Sequence, residues 1–296
     1  MIIQEGVNQM SKKYLAFDVG GTTIKYGIVD ENLQISDRGK VDTLHNKDGH
    51  ILKSLIKVTK EMIQKYQLDG IGVSTAGIVG DDGSIMYAGP TISDYQGTPI
   101  KKELERTFKI PVSVVNDVSA ALLGEKLAGS VKNASTIYCV ALGTGIGGAF
   151  WADGHLFNGY HQTGNSIGYT LFDPITSTNY EQRSSTIALQ KELEPLGIDP
   201  IEAFARAKKG SLREKKIIDA WALQVAEGLS SVLLLLDPEV LVIGGAVSKQ
   251  GDYLKDLLDE KLNQILPPNL CKTVLKMASL GNDAQLYGGI SSIFEN

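Results

Sequence analysis

The sequence predicts an α/β protein made of two copies of a similar unit, and three observations lead to this prediction. Segments with strand and helix periodicity alternate along the 296 residues. One pattern, in which a strand runs into a Gly/Thr turn and a second strand follows at once, occurs at residues 14–29 and again at residues 137–151. No flexible linker separates the two copies. Such a repeat is typical of a duplicated fold, here with two lobes joined by packed crossovers.

The first copy begins with three strands and continues with alternating helices and strands. A loop at residues 76–99, rich in Gly, Asp and Pro, is too long to be only a connector. Gly129 is expected to end the last helix of this copy. The predicted elements are strands at 14–19, 24–29 and 34–41, a helix at 51–66, a strand at 70–74, a helix at 101–108, a strand at 112–115 and a helix at 118–128.

The second copy repeats the opening pattern and then becomes mainly helical. Ser211 and Glu214 form a predicted capping box at the start of a long helix, which Asp237 and Pro238 end. The predicted elements are strands at 137–142 and 146–151 with a turn at 153–154, a helix at 211–236, a strand at 240–243, a helix from about 248, a strand at 273–278 and a last helix from about 284.

Composition excludes several classes of protein. The formal net charge of −5 and the pI near 5.5 argue against a nucleic-acid-binding protein. Cys139 and Cys271 lie in apolar runs and are expected to be free thiols in a reducing compartment. The longest apolar stretch, around residues 232–236, is expected to be too short to cross a membrane. The first residues lack the apolar core of a signal peptide, and Met10 is an alternative start. A cytoplasmic protein is therefore predicted.

The first glycine turn, residues 20–23, follows a strand that carries a carboxylate. Glycines in such a turn allow backbone N–H groups to converge on an anion, although a plain hairpin with glycines at positive φ is the alternative. Asp18 would repel a phosphate at this turn unless Mg²⁺ lay between them, directly or through water. Lys25 is either a solvated surface charge or a phosphate contact.

The second glycine turn, residues 143–145, belongs to a G-x-G-x-x-G pattern that ends at Gly148. A dinucleotide-binding site needs a helix at the last glycine and an acidic residue about twenty positions later, whereas a strand is predicted here and no such acid is present. No P-loop sequence occurs either. Together with Gly244 and Gly245, the two turns predict a nucleoside triphosphate bound across two lobes.

Asn116 and Asp117 end a strand and open a helix. Asp117 is explained by an N-cap role or by a role as general base that accepts a proton from a substrate hydroxyl, and the two roles are compatible. The residues alone favour the cap.

Six segments together resemble the ROK family, which contains bacterial glucokinases, N-acetylmannosamine kinases, other hexose kinases and sugar-responsive repressors. They occur in the family's order from residue 14 to the C-terminus, and their combination is highly specific. The segments are residues 17–25 (FDVGGTTIK), 72–78 (GVSTAGI), 115–117 (VND), 141–148 (ALGTGIGG), 243–246 (IGGA) and 281–289 (GNDAQLYGG).

This resemblance implies the duplicated actin-like ATPase fold, which is ribonuclease H-like, with two lobes and a central cleft. It implies an N-terminal lobe at residues 1–117, a larger lobe at 118–283, and a last helix at about 284–296 that packs back on the first lobe. It also implies ATP and Mg²⁺ as cofactors, transfer to a sugar hydroxyl, and a homodimer that contacts neither nucleic acid nor membrane.

The resemblance also assigns roles to individual residues. Asp117 is implied as the catalytic base and Asn116 as a sugar contact, with Ser74 and Thr75 beside them. Asp18 is expected near Mg²⁺, through water. The implied ATP contacts are Asp18, Gly20, Gly21, Thr22, Thr23 and Lys25 in the first copy, Gly143, Thr144 and Gly145 in the second, and Gly244 and Gly245 near the adenosine.

The segment that usually contributes to the sugar site departs from the family pattern. The family's Glu-Ile-Gly-His is replaced here by Ser166, Ile167, Gly168 and Tyr169. No cysteine lies between residues 154 and 240, so the family's structural zinc is not expected.

Two further positions bear on the sugar. Glu181 falls in register with a family Glu and is expected to bind a sugar hydroxyl, although a charge placed at a helix N-terminus is the alternative. Thr91 stands where the family often has Asn. Such changes alter the acceptors available to hydroxyl groups, so the preferred sugar is expected to differ from glucose or to carry an N-acetyl or glycoside group.

The function expected from the resemblance is ATP-dependent phosphorylation of a hexose or amino sugar, with N-acetylmannosamine or glucose favoured. A β-glucoside kinase and a non-catalytic sugar-sensing ROK protein are the alternatives. A structural protein of the actin class is disfavoured by the order of the motifs.

Overall fold

A computed structural model describes residues 11–89 and 92–294. The alternative start at Met10 and the predicted sugar contact Thr91 lie outside the described residues. The chain divides into two compact units. Unit 1 contains the residues up to Asp117 and those from Gln285 onward, and unit 2 is Val118–Ala284.

Twelve strands are formed by the described residues, and nine of them lie close to the predicted strands, whereas β5 and β6 form within the predicted long loop. They are β1 (Lys13–Val19), β2 (Thr23–Asp30), β3 (Ile35–Asp42), β4 (Gly70–Thr75), β5 (Ile78–Val79), β6 (Ile85–Tyr87), β7 (Val112–Asn116), β8 (Ile137–Leu142), β9 (Ile146–Ala152), β10 (His155–Leu156), β11 (Val240–Gly244) and β12 (Val274–Met277).

Nine α-helices are described, of which three, between residues 180 and 208, were not predicted individually. They are α1 (His50–Met62), α2 (Ile100–Phe108), α3 (Asp117–Leu127), α4 (Tyr180–Ser184), α5 (Thr186–Leu193), α6 (Pro200–Lys208), α7 (Leu212–Leu236), α8 (Asp252–Ile265) and α9 (Ala284–Phe294).

The five-stranded sheet of unit 1 has the order β3-β2-β1-β4-β7. β1 pairs with β2 antiparallel and with β4 parallel, and β4 pairs with β7 parallel. Parallel strands end at the same edge of a sheet. The register places Asp18 opposite Ser74, and Thr75 opposite Asn116, so the predicted site residues of this unit share one edge.

The five-stranded sheet of unit 2 repeats this plan with the order β10-β9-β8-β11-β12. β8 pairs with β9 antiparallel and with β11 parallel, and β11 pairs with β12 parallel. Each unit therefore has a hairpin whose first strand also leads into a parallel half of the sheet. The predicted duplication is confirmed.

Helix α9 packs on the sheet of unit 1 through glycines of β4. A Cβ on Gly72 would overlap the backbone of Gly289, and one on Gly70 would lie 2.6 Å from Ile293. The ring centroids of Tyr14 and Phe294 are 5.3 Å apart. The small residues of β4 thus allow the helix to lie directly on the strand.

Several local predictions are corrected. The first helix ends at Met62 rather than at residue 66. The helix expected from residue 248 starts as a 3-10 turn before α8, and the long loop contains the β5–β6 hairpin.

The predicted capping box at Ser211 and Glu214 is wrong. The Ser211 hydroxyl bonds the Glu214 carboxylate and makes no backbone cap, because that charged acceptor, itself 3.3 Å from Arg206, is the stronger partner.

Helix α7 is apolar throughout most of its length. Among the described residues it is the one helix long and apolar enough to cross a membrane, which the sequence did not lead us to expect. However, 56% of its most apolar window is buried inside the protein. Ile218, Val225 and Leu229 are fully buried in the core of unit 2. A core helix of a soluble protein has the same properties.

Candidate active site

Asp18 lies near the end of β1, where burial and a lysine determine its charge. Its side chain is 13% exposed, and one carboxylate oxygen accepts a hydrogen bond from Lys25 Nζ at 3.3 Å. The two residues face each other across the β1–β2 pair. Burial raises the pKa of Asp18, and the nearby Lys25 ammonium opposes that rise.

The first glycine turn is held by a threonine that the sequence did not single out. Gly20 N–H donates to the carbonyl of Thr23 at 3.0 Å. Thr43 N–H donates to the carbonyl of Thr22 at 2.9 Å, and the Thr43 hydroxyl donates to the carbonyl of Gly21 at 2.8 Å. The turn does join a hairpin, but neither Gly20 nor Gly21 has a positive φ, so the alternative explanation that the turn needs glycines at positive φ is wrong.

Asn116 holds the side chain of Asp117, the predicted base, in place. Its amide Nδ2 donates to Oδ1 of Asp117 at 2.9 Å and to the carbonyl of Gly77 at 2.9 Å. Asp117 is the first residue of α3 and is partly buried. The carboxylate is therefore held at the end of β7, at the sheet edge that also carries Asp18.

The two hydroxyl residues of β4 are both fully buried. The Thr75 hydroxyl shares a hydrogen bond with the Tyr95 hydroxyl at 2.7 Å and donates to the carbonyl of Ala76 at 3.1 Å. The Ser74 hydroxyl has no hydrogen-bond partner among the described residues. Burial raises the pKa of Tyr95, which keeps it a neutral donor.

The second glycine turn is held from a different direction. Gly143 N–H donates to the carbonyl of Gly145 at 3.0 Å. The carbonyl of Gly143 accepts from Thr186 twice, from its N–H at 2.9 Å and from its hydroxyl at 2.6 Å. The N–H of Ile146 donates to Glu181 Oε2 at 2.7 Å. The corner between α4 and α5 therefore fastens this turn.

Glycines pack tightly around the second turn. A Cβ on Gly145 would lie 2.5 Å from Glu181 Oε2, and one on Gly245, where φ is 85°, would overlap the carbonyl oxygen of Leu142. Gly244 ends β11, so Gly244 and Gly245 lie beside the end of β8, directly before the turn. The prediction that Gly148 lies in a strand is confirmed.

The atypical sugar segment lies beside Glu181. A Cβ on Gly168 would lie 3.1 Å from Glu181 Oε2. Ser166 is exposed, and its hydroxyl donates to the carbonyl of Thr163 at 2.8 Å. Tyr169 is 67% exposed. Unit 2 thus gathers the second turn, the glycine pair and the altered sugar segment.

Metal ligands are sparse in the part of the chain that the structure describes. It contains no group of three or more His, Cys, Asp or Glu side chains that could hold a metal ion. In nucleotide sites Mg²⁺ is often bound by one or two carboxylates together with phosphate oxygens and water. The single carboxylate of Asp18 would therefore fit a Mg²⁺ ion whose other ligands are phosphate oxygens and water.

The sequence pattern of the ROK family matches residues 14–294. The chain belongs to the ROK family. An uncharacterized protein of Clostridium perfringens is 34% identical to this ROK protein over 292 residues, which is 96% of this chain and 98% of the relative. The glucokinase of Halalkalibacterium halodurans is 26% identical, with 93% of each chain covered. The β-glucoside kinase of Listeria monocytogenes is 26% identical, with 94% of this chain and 96% of the relative covered.

Solved structures show the same fold. A candidate N-acetylmannosamine kinase of Listeria monocytogenes has a TM-score of 0.82 at 25% identity, covering 96% of this ROK protein and all of that chain. A ROK glucokinase of Streptomyces griseus, solved with glucose and AMPPNP, has a TM-score of 0.79 at 24% identity, with 94% and 97% covered. A ROK transcriptional regulator has a TM-score of 0.86 at 18% identity, with 97% and 79% covered. The predicted actin-like ATPase fold is confirmed.

Proposed function

We propose that this protein is an ATP-dependent sugar kinase with Asp117 as its general base. The observation that carries the proposal is the carboxylate of Asp117, held by Asn116 at the sheet edge that also bears Asp18 and the first glycine turn. The named relatives described above are sugar kinases, which supports the same reading.

The two glycine turns are suited to bind the phosphates of ATP. The N–H groups of Gly21, Thr22, Thr144 and Gly145 donate no hydrogen bond within the described residues. Gly143 has no positive φ, and a Cβ there would meet nothing closer than 4.0 Å, so the fold itself does not require glycine. Close approach of a ligand explains why a side chain is missing there. AMPPNP in the glucokinase of similar fold is consistent with a nucleotide.

The remaining nucleotide contacts follow from the same assignment. Thr23 and Lys25 flank the first turn, and Gly244 and Gly245 would approach the adenosine. Asp18 would bind Mg²⁺ through water, and the ion, when bound, offsets the negative charge of the phosphates. Lys25 stabilises the ionised form of Asp18 that this role requires.

The chemical step needs a proton acceptor for the attacking hydroxyl. As the sugar oxygen forms its bond to the γ-phosphorus, the bond from that phosphorus to the β,γ-bridging oxygen breaks and ADP leaves. The hydroxyl proton passes to the Asp117 carboxylate. Asn116 orients that carboxylate through Oδ1, so that the base does not have to reorganise during the reaction.

The sugar is proposed to be a hexose or amino sugar, with N-acetylmannosamine or glucose favoured and a β-glucoside as the alternative. Glu181 and Asn116 are the proposed hydroxyl contacts, with Ser166 and Tyr169 shaping the site. Ser74 and Thr75 are fully buried, so they would act from beneath the site. A cytoplasmic homodimer is part of the same proposal.

A sugar sensor without turnover is the second candidate, favoured by the fold that the chain shares with a ROK transcriptional regulator. One assay separates the two. ADP release is measured with ATP and Mg²⁺ over glucose, mannose, fructose, N-acetylmannosamine, N-acetylglucosamine and cellobiose. We expect turnover on at least one sugar. Asp117→Asn should lower turnover by orders of magnitude, and Asp199→Asn should not, because Asp199 caps α6 and Asn is an equally good cap. Sugar binding without turnover on any sugar would favour the sensor.

A further inference from the structure

Each glycine turn has a threonine that binds its carbonyl groups from behind. Thr43 directly follows β3 and is fully buried, whereas Thr186 opens α5 and is partly buried. Both use their backbone N–H and their hydroxyl on the turn. The two threonines lie in different kinds of element, and neither belongs to the six short segments quoted in the sequence analysis. Each turn is thus held through a glycine carbonyl by a threonine hydroxyl, but the Thr43 N–H bonds the carbonyl of Thr22, whereas the Thr186 N–H bonds the same Gly143 carbonyl as its hydroxyl.

A hydrogen bond that fixes a backbone carbonyl also fixes the direction of the N–H group in the same peptide plane. In a trans peptide the C=O and the N–H of one plane point in opposite directions. The carbonyl of Gly21 shares its plane with the N–H of Thr22, and the carbonyl of Gly143 shares its plane with the N–H of Thr144. The bonds from Thr43 and Thr186 therefore turn these two N–H groups away from the protein side of each turn. Neither group donates a hydrogen bond within the described residues.

We propose that Thr43 and Thr186 are positioning residues that aim the amides of Thr22 and Thr144 at phosphate oxygens of the nucleotide. The inference rests on the proposed ATP site and extends it to residues outside that site. Converging amides form an anion-binding nest only if their peptide planes are fixed. At the second turn a further effect adds to this one, because the carbonyl of Gly143, which accepts two hydrogen bonds from Thr186, repels an approaching phosphate less.

The simpler alternative is that both hydroxyls only stabilise the fold. Two other threonines provide matched controls, because each makes a hydroxyl-to-carbonyl bond that does not involve a glycine turn. Thr59 in α1 is fully buried and donates to the carbonyl of Leu55 at 2.7 Å. Thr273 in unit 2 donates to the carbonyl of Pro238 at 2.6 Å. Valine at these positions loses the same kind of bond as valine at Thr43 or Thr186.

The test compares Thr43→Val and Thr186→Val with Thr59→Val and Thr273→Val in the full chain. AMPPNP affinity is measured by calorimetry, and KM for ATP and for the sugar by steady-state kinetics. We expect each turn variant to weaken AMPPNP binding and to raise the KM for ATP by roughly tenfold, with the KM for the sugar changed by less than about twofold. Thr43→Ser and Thr186→Ser, which keep the hydroxyl, should restore both values. The two control variants should lower only thermal stability.

Three results would overturn the proposal. The valine variants at the turns could bind AMPPNP as tightly as the controls, or the serine variants could fail to restore AMPPNP binding. The valine variants could also raise the KM for ATP and the KM for the sugar equally. Failure of the proposed function looks different. Wild-type protein that binds AMPPNP but turns over no sugar would refute the kinase, and the valine variants would still test the two threonines by calorimetry. Wild-type protein that binds no AMPPNP would refute both.

Discussion

The first and second glycine turns occupy matching places in two sheets of the same order, yet they are fastened differently. The first is held by Thr43, which lies at the end of the neighbouring strand of the same sheet. The second is held by Thr186 and Glu181, from two short helices outside the sheet. The first turn therefore depends on strand pairing. The second depends on how α4 and α5 pack against it.

This difference connects the second turn to the sugar segment. Glu181 accepts the Ile146 N–H that follows the turn, and it also lies against Gly168 within the segment that departs from the family pattern. One carboxylate thus contacts both regions.

The largest effect that would sharpen this comparison is expected from Glu181. Glu181→Ala removes the acceptor for the Ile146 N–H together with the proposed sugar contact, and kcat/KM should fall about 100-fold for both substrates. Glu181→Gln keeps an acceptor oxygen for Ile146, so the KM for ATP should stay near wild type while the KM for the sugar rises. Steady-state kinetics with each substrate varied would measure this. An equal rise of both KM values in the Gln variant would contradict the dual contact.

A smaller effect is expected from a methyl group at Gly143. Since a Cβ there meets no protein atom closer than 4.0 Å, Gly143→Ala should leave the free energy of unfolding within about 1 kcal/mol of wild type. It should raise the KM for ATP roughly tenfold, because the methyl would occupy the space proposed for phosphate. Thermal melts test the expected stability, and steady-state kinetics test the expected KM for ATP. Unchanged nucleotide affinity would place the phosphates elsewhere.

The Asp18–Lys25 ion pair beside the first turn has no counterpart at the second turn among the residues that the structure describes. This difference predicts a pH effect that arises at the first turn alone. Lys25 opposes the rise in the pKa of Asp18, so Lys25→Met should raise that pKa further. If ionised Asp18 is needed for activity, the acid limb of the rate profile moves to higher pH, by less than about one unit because Lys25 is 44% exposed. Lys40→Met is the control, since Lys40 pairs with Lys25 across β2 and β3. Equal shifts in both variants would argue against the Asp18–Lys25 pair.

The smallest effect is expected in the choice of sugar. The double change Ser166→Glu and Tyr169→His restores the family's strong hydroxyl acceptors, and we expect a severalfold shift of kcat/KM toward glucose over N-acetylmannosamine (on the order of 1 kcal/mol). The KM for ATP should stay within about twofold, because Glu181, which accepts the Ile146 N–H beside the second turn, is unchanged in this variant. Competition assays between the two sugars would show the shift. Reduced turnover of every sugar would mean that Ser166 and Tyr169 serve another purpose.

Local patterns predicted most of the fold. The strands around both glycine turns are short apolar runs bounded by Gly, so their positions and their duplication follow from the sequence. What failed depended on contacts between distant residues. Thr43 and Thr186 carry no motif, and each bonds a glycine that lies 22 or 43 positions earlier in the chain, respectively. The expected cap at Ser211 failed for a local reason, because the Glu214 carboxylate, which also pairs with Arg206, offered the Ser211 hydroxyl a charged partner.

The same limit applies to the candidate site. Asp18, Asn116 and Asp117 end predicted strands, so their common edge could be foreseen once the strands were known to be parallel. The burial of Thr75 beneath Tyr95 could not, because the loop that carries Tyr95 has no periodicity. Glu181 was expected to face a sugar. Its bond to the Ile146 N–H emerged only from the packing of α4 against β9.

The central claim is that Asp117 accepts the proton as phosphate passes from ATP to a sugar hydroxyl. The most direct test follows label from the γ-phosphate of ATP into sugar phosphate, for wild type and Asp117→Asn, with AMPPNP affinity measured on both. We predict labelled sugar phosphate from the wild type, and from the variant a rate lower by about 100- to 10,000-fold with AMPPNP affinity within about twofold. A variant that transfers label at the wild-type rate, or a wild type that releases it only as free phosphate, would contradict the claim.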